Sequence, residues 1–335
     1  MEGVLPSLLS APEQAGALSD VTVNDGPEKG TRVIWVRNAV GMQCAVHPDR
    51  GMDIGQLLYR GFPVTWASLH GNPAPWAFSR GINDSWLDTF GGGLLTTCGL
   101  LFMGKPGADG DQSLGLHGNI SHQPAREVAA RTEESGSGFV VEGRVSESAG
   151  FFTRLDLRRR VRIPMGEAVV EVRDTVTNAG AESSPLMLLY HMNFGYPLVD
   201  PAATRITWPG AARRLWGEDG DTEFSRVLPP GGGGETVAQV DVPPGPVEVV
   251  LENRRWLGGV RLTIAFDSAD FPFLFHWRMF RSGVYGIAVE PATAGLEGRA
   301  QERAMGRVRL LDPGDSQTFG MRVALAPWGG DGANG

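Results

Sequence analysis

The stretch Phe151-Phe-Thr-Arg-Leu-Asp-Leu-Arg-Arg-Arg-Val-Arg-Ile163 alternates along its length. Odd positions carry Phe, Thr, Leu, Leu, Arg, Val and Ile; even positions carry Phe, Arg, Asp, Arg, Arg and Arg. Successive side chains of a strand point to opposite faces, so this pattern predicts a strand with one face buried and one in water. The same alternation recurs in Phe139–Val145, Val170–Val176, Val260–Phe266 and Phe319–Leu325. Between these segments stand Ser135-Gly-Ser-Gly, Pro164-Met-Gly, Asn178-Ala-Gly, Pro229-Pro-Gly-Gly-Gly-Gly and Pro313-Gly-Asp. Strands separated by short Gly/Pro turns predict an all-β chain of antiparallel sheets packed face to face. Helical signals are thin: Ser10–Leu18, with Ser10 as N-cap, and one or two turns within Gly295–Ala304. The glycines at 231–234 read as a surface loop, because strand patterns of one kind continue on both sides. The expected organisation is an N-terminal extension over 1–19, a single β-sandwich domain over 20–327 and a flexible tail over 328–335.

The bulk composition excludes several classes of function. With 335 residues and 41% hydrophobic composition the chain can bury a substantial core. A net charge of −8 argues against nucleic acid as a partner, since phosphate binding wants a basic surface. Only Lys29 and Lys105 are lysines, so arginine carries nearly all the positive charge and a given Arg says little about function. Cys44 and Cys98 lie far apart without a metal-type spacing and read as two reduced, buried thiols. No basic residue precedes Lys29, and Pro6 and Pro12 interrupt the early apolar stretch, unlike a signal peptide. No apolar run is long enough to span a membrane. The expectation is a soluble, cytoplasmic protein without a membrane partner. Exposed edge strands allow a homodimer.

Chemistry gathers in three segments. Ser282-Gly-Val-Tyr-Gly-Ile-Ala-Val-Glu-Pro-Ala-Thr-Ala-Gly295 runs an apolar strand into Glu290 and stops it at Pro291. A carboxylate on rigid scaffold, half withdrawn from water, suits a general base, although the residue taken alone favours a strand-end ion pair with an Arg such as Arg278 or Arg281. His191 ends the apolar run Pro185-Leu-Met-Leu-Leu-Tyr, where His-Met-Asn-Phe-Gly-Tyr-Pro197 implies an opening onto a ligand or loop. His117 stands between Gly115 and Gly118, which permit close backbone approach. One carboxylate and two imidazoles suit proton transfer on a neutral substrate such as a sugar. His117, His122 and His191 also raise a metal reading, though the 117/122 spacing fits neither a helix face nor a strand face. The glycines at 91–93 lack the Gly-Lys-Ser/Thr of a P-loop and the spaced glycines of a dinucleotide fingerprint. Thr96, Thr97 and Cys98 instead read as lining or supporting a pocket. Trp66, Trp76, Phe78, Trp86, Phe90 and Trp277 could stack on sugar faces or simply fill a core.

Gly91-Gly-Gly-Leu-Leu-Thr-Thr-Cys-Gly-Leu100, Leu114-Gly-Leu-His-Gly-Asn119, Tyr190-His-Met-Asn-Phe-Gly-Tyr-Pro197 and Tyr285-Gly-Ile-Ala-Val-Glu-Pro291 follow one another in order. In this order they resemble the DUF4432 branch of the aldose 1-epimerase (galactose mutarotase) superfamily over about residues 20 to 325. The resemblance implies a large twisted antiparallel β-sandwich, the mutarotase-like supersandwich, with an open cleft on one sheet. It implies a cofactor-independent isomerase with a monosaccharide or sugar-derivative substrate and no metal. Glu290 would be the base on the anomeric hydroxyl, His191 the acid on the ring oxygen, and His117 the second histidine. Substrate contacts would come from Arg80, Thr97, Asn119, Asn193, Tyr196, Trp277 and Arg278. One departure matters: the family's arginine motif is replaced by Gly91–Gly99, which holds no Arg. Arg80 substitutes only if its loop folds back, and Arg278 could face an anionic sugar. The alternatives are a non-catalytic carbohydrate-binding protein on the same fold and a metal-dependent sugar isomerase or lyase.

Overall fold

The computed structural model describes residues 9–77, 86–217 and 220–329. Its architecture is three large antiparallel sheets and a two-stranded one, Gly107–Asp109 with Gln112–Leu114. The first has five strands, Ala17–Thr22, Arg32–Arg37, Met42–His47, Asp53–Tyr59 and Phe62–Pro63, in chain order. The second has eight, in the order Thr204–Thr207, Pro246–Asn253, Val260–Asp267, Ser316–Pro327, Val169–Asn178, Thr153–Pro164, Gly138–Ala149 and Arg126–Thr132. The third runs Ala212–Gly217, Gly233–Val240, Phe273–Arg281, Val284–Ala292, Ser184–Gly195 and Arg309–Leu311, with Thr96–Leu100 added beside Ser184–Gly195.

Period-two alternation fixes which side of each strand is buried. On Thr153–Pro164 the side chains of Leu155, Leu157, Val161 and Ile163 enter the core, while the arginines at even positions form ion pairs on the outer face. Phe151 and Phe152 fall outside the strand, at the exposed hairpin tip. The Ser184–Gly195 strand is buried on both faces. Leu188, Tyr190, Met192 and Phe194 join the core shared by all three sheets, and Met187 and Leu189 join a smaller apolar cluster on the opposite side. That second cluster, with Trp86, Phe90, Cys98, Phe275 and Trp277, underlies the candidate site.

Arg159 breaks the alternation rule, because it sits at a core position with no exposed surface. Its guanidinium donates to Asp174 through Nε (2.9 Å to Oδ1) and Nη2 (2.6 Å to Oδ2). Its Nη1 donates to Thr97 Oγ1 at 2.9 Å and to the Met52 carbonyl at 3.2 Å. The Tyr190 hydroxyl donates to Asp174, and Thr97 donates through both N and Oγ1 to Asp53 Oδ1 at 2.9 and 2.8 Å. The network therefore joins all three sheets: Arg159 and Asp174 from the second, Tyr190 and Thr97 from the third, Asp53 and Met52 from the first.

The expected helix over Ser10–Leu18 is a single 3-10 turn, Pro12–Gln14. The chain then extends, and Ala17–Thr22 pairs with Arg32–Arg37. Gly16 sits where a Cβ would lie 2.7 Å from Met165 Sδ and 2.8 Å from the Arg37 carbonyl, so a side chain has no room at the entry to this strand. The first strand thus begins ahead of the boundary expected at residue 20. Gly295–Ala304 contains a helix only over Arg299–Ala304, and the glycine run turns and then enters a strand at Gly233. Most of the expected flexible tail, 330–335, lies outside the described residues. No helix among the described residues is long and apolar enough to cross a membrane.

Removing one partner of a buried ion pair leaves the other charge uncompensated, at a cost of about 3–5 kcal/mol. Asp174→Asn is expected to lose that much in urea-induced unfolding. The double variant Asp174→Asn/Arg159→Met is expected to recover most of it. A loss below about 1 kcal/mol in the single variant would show that the network is not what joins the sheets.

Candidate active site

A cavity of about 560 Å³ opens on the outer side of the third sheet, lined by Trp66, Trp86, Phe90, His117, His191, Trp277 and Glu290 among others. Strand register brings its polar groups together. Leu189 pairs with Ala292 and Met192 with Val289, so the register sets His191 beside Glu290 on adjacent strands. His191 Nε2 lies 3.2 Å from Glu290 Oε1, with both side chains almost wholly buried.

Asn193, two residues along the same strand face, fixes the imidazole. Its amide donates to the carbonyls of Gly93 (3.1 Å) and His191 (2.8 Å), so its Oδ1 must be the acceptor facing His191 Nδ1 at 2.7 Å. Nδ1 therefore carries a hydrogen, and Nε2 presents its exchangeable position to Glu290. The glycine run explains itself here. Gly93 has φ of 87°, and a Cβ on it would lie 2.7 Å from the Gly55 backbone. Its carbonyl accepts both the backbone and side-chain N–H of Asn193. The glycines thus bring backbone against the strand that carries His191.

Burial in an apolar aromatic setting disfavours charge on either partner. It pushes Glu290 up to about 8, helped by the negative charge of Glu235, and His191 down to about 3, helped by His117. At neutral pH the pair holds one exchangeable proton between two groups of opposite chemical type.

His117 faces His191 with ring centroids 6.0 Å apart and packs against Trp86 at 4.7 Å. Burial lowers its pKa to about 4, and its Nδ1 has no hydrogen-bond partner. Its backbone sits in the left-handed region at φ of 58°, clamped by His117 N–H to Gly104 O (3.1 Å) and Gly99 N–H to His117 O (3.0 Å). The turn after Gly99 is held from the second sheet by Glu147, whose buried carboxylate accepts the N–H groups of Leu100 (2.5 Å) and Leu101 (3.3 Å).

The structure separates the remaining candidates. Trp277 lines the cavity, its indole N–H donating to Glu235 Oε1 at 2.9 Å. Asn193 lies beneath the cavity as the support of His191. Asn119 follows His117 with its Oδ1 unpartnered, outside the lining. Thr97 faces the opposite way, into the Arg159 network, whereas Thr96 pairs across from His191. Arg278 also faces away: its guanidinium donates to the Asp221 carbonyl at 2.7 Å and stacks 4.5 Å above Phe224. It neither reaches Glu290 nor offers its charge to a substrate in the cavity. Tyr196 is exposed beyond the strand end, outside the lining. Arg80 lies outside the described residues. Burial, with the charges of Glu290 and Asp53, pushes the Cys98 thiol well up, against a role as nucleophile. His122 turns to Thr89 Oγ1 at 2.7 Å, and among the described residues no three His, Cys, Asp or Glu converge as metal ligands do.

Sequence reasoning missed Glu235, Lys105 and Trp216, which all line the cavity. Glu235 shares a strand face with Val237 and Trp277, but only the pairing of Val237 with Trp277 reveals it. Its position straight after the glycine run disguised it as loop.

No curated protein matches the chain. Solved structures do. A Klebsiella pneumoniae protein, provisionally assigned as an aldose 1-epimerase, superposes with a TM-score of 0.80 at 21% identity, covering 92% of this chain and 83% of that one. A galactose mutarotase-like protein from Clostridium acetobutylicum gives 0.64 at 13% identity, covering 94% and 99%. Galactose 1-epimerase from Lactobacillus acidophilus gives 0.61 at 12% identity, covering 93% and 99%. At such identities the likeness shows the galactose mutarotase-like fold. The family described as a domain of unknown function (DUF4432) matches residues 28–325, nearly the whole chain, and the protein belongs to that family.

Proposed function

We propose that the chain interconverts the anomers of a sugar by acid–base ring opening. The observation that carries this reading is the buried Glu290–His191 pair at the base of an aromatic-lined cavity, with the imidazole fixed by Asn193. In the productive microstate the shared proton sits on His191 Nε2 and Glu290 is ionised. Glu290 takes the proton from the anomeric hydroxyl as the bond from C1 to the ring oxygen breaks. His191 delivers its proton to that oxygen, giving the open-chain aldehyde. Rotation about the adjacent carbon–carbon bond presents the other carbonyl face. The ring oxygen then attacks, and both protons return to their starting groups. His117, which lines the cavity beside His191, holds a substrate hydroxyl. Trp66, Trp86, Phe90 and Trp277 supply faces for the C–H side of the ring.

Anomer exchange followed by NMR across a sugar panel tests the reading directly. Wild type is expected to accelerate exchange, and Glu290→Gln to lose about a hundred- to ten-thousand-fold of that rate. Full activity in the variant would remove Glu290 from the chemistry. Stability adds a second readout. Glu290 has a folded-state pKa above the unfolded one, so its contribution is complete below the ordinary carboxylate range and is lost as pH rises toward about 8. Glu290→Gln escapes that loss. Its Tm is therefore expected to exceed the wild-type value by about a few degrees at neutral and alkaline pH, and to converge with it near pH 4. A lower Tm at every pH would contradict the burial argument.

The pH profile follows from the shared proton. Both transfers require the pair to hold one proton, whichever partner carries it at rest. kcat/KM is expected to be flat below neutrality, to fall above about 8 as Glu290 loses the proton, and to fall again only near about 3. A rate that climbs steadily through pH 9 would mean that no protein acid takes part.

A further inference from the structure

Glu235 is the carboxylate of the cavity that the acid–base pair does not use. It projects from the Gly233–Val240 strand at the mouth, while Glu290 lies at the base. Its Oε1 accepts the Trp277 indole N–H at 2.9 Å, which holds the ring against Trp66, 5.8 Å between centroids. The other oxygen remains available to whatever enters.

The lysine and the arginine nearby are already matched or turned away. Lys105 lines the cavity, but its Nζ lies 3.0 Å from Glu297 Oε2 and 4.7 Å above the Trp216 ring. Arg278 spends its guanidinium on backbone carbonyls on the other side of the sheet. His117 and His191 are held neutral by burial. His70 also lines the cavity; among the described lining carboxylates, Glu235 is thus the one that is exposed and that no ion pair offsets. Its field reaches the floor, where it helps to keep the Glu290 carboxyl protonated. The walls around it are Trp66, Trp86, Phe90, Trp216 and Trp277, whose ring faces attract cations and offer nothing to an anion.

We propose that Glu235 is a specificity-determining residue that makes the cavity exclude anionic sugars and admit amino sugars alongside neutral ones. The proposal rests on the reading of the cavity as a sugar site. It replaces the expectation of an anionic substrate that Arg278 suggested. A uronate or sugar phosphate would bring a second negative charge against Glu235 in a space walled by aromatic rings. An ammonium group would meet a carboxylate and ring faces. At about 6–8 Å and an effective dielectric constant of about 40, one such charge changes affinity roughly tenfold.

The test uses the full chain and matched probes: glucose, glucosamine and glucuronate, and the galacto-configured set. Binding is read by quenching of tryptophan fluorescence, and anomer exchange by NMR. Wild type is expected to bind the neutral and amino sugars at least about tenfold more tightly than the uronates. Glu235→Gln keeps an oxygen for the Trp277 N–H while removing the charge, and is expected to reduce that ratio to within about threefold of unity. Glu235→Ala, which also frees the ring, is expected to weaken the neutral and amino sugars. Equal wild-type affinity for uronate and neutral sugar, or an unchanged ratio in Glu235→Gln, would overturn the proposal. Turnover without charge discrimination would overturn it while leaving the mutarotase reading in place. Charge-selective binding without anomer exchange would support the proposal and remove the mutarotase reading. Saturable binding of none of the six would overturn both.

Discussion

Arg159 and Asp174 decide how the three sheets sit together. An apolar core is non-directional and would tolerate small slips of one sheet over another. A buried guanidinium does not, because its donors must meet Asp174, Thr97 and Met52 from fixed directions. Two of the groups it meets neighbour the site in sequence: Tyr190 precedes His191, and Thr97 precedes Cys98 on the strand beside it. Placing the network under that strand pair ties the register of the strands that carry the candidate site to the opposite sheet. Such an ion pair need not add net stability, since desolvation takes back much of the Coulombic gain. What it supplies is a single permitted arrangement.

The candidate site is built on the same principle, one layer further out. His191, Asn193 and Glu290 all stand on paired strands, and the Gly93 carbonyl locks Asn193 from a neighbouring turn. No loop has to close to orient the imidazole. The cost is the burial of two ionisable groups that the aromatic surroundings would rather keep neutral. Each partner is pushed away from its ordinary range in the direction that leaves one proton between them.

Much of this was legible in the sequence, and the failures have a common cause. The long strands alternated clearly, so all-β sheets followed from period two alone. Glu290 and His191 closed apolar runs and His117 stood among glycines; the strands continue past the expected stops, to Ala292 and Gly195, and the structure brings all three residues to one cavity. Arg278 and Thr97 were placed on the wrong side because their strands do not alternate. Leu274 through Phe280 carries large side chains on both faces, so parity there cannot be read without knowing which partner lies on each side. Thr96 and Thr97 are chemically identical neighbours with opposite orientations. Arg159 stood on the apolar face by parity, in a run of three arginines, but its partner could not be read there, since its burial depends on Asp174 arriving from the next strand. Glu235 was hidden for the same reason: only cross-strand pairing reveals it.

The separation of floor from rim has an evolutionary consequence. The acid–base pair and its support occupy buried positions of central strands, where a change disturbs packing in every direction. Glu235 and Lys105 are exposed, and Trp216 stands on an edge strand, each attached to a different segment of chain. Substitution at such positions is close to neutral for folding. A lineage built on this scaffold can therefore drift in what its cavity admits while the buried Glu290–His191 pair stays fixed, and a new preference can arise from one rim residue at a time.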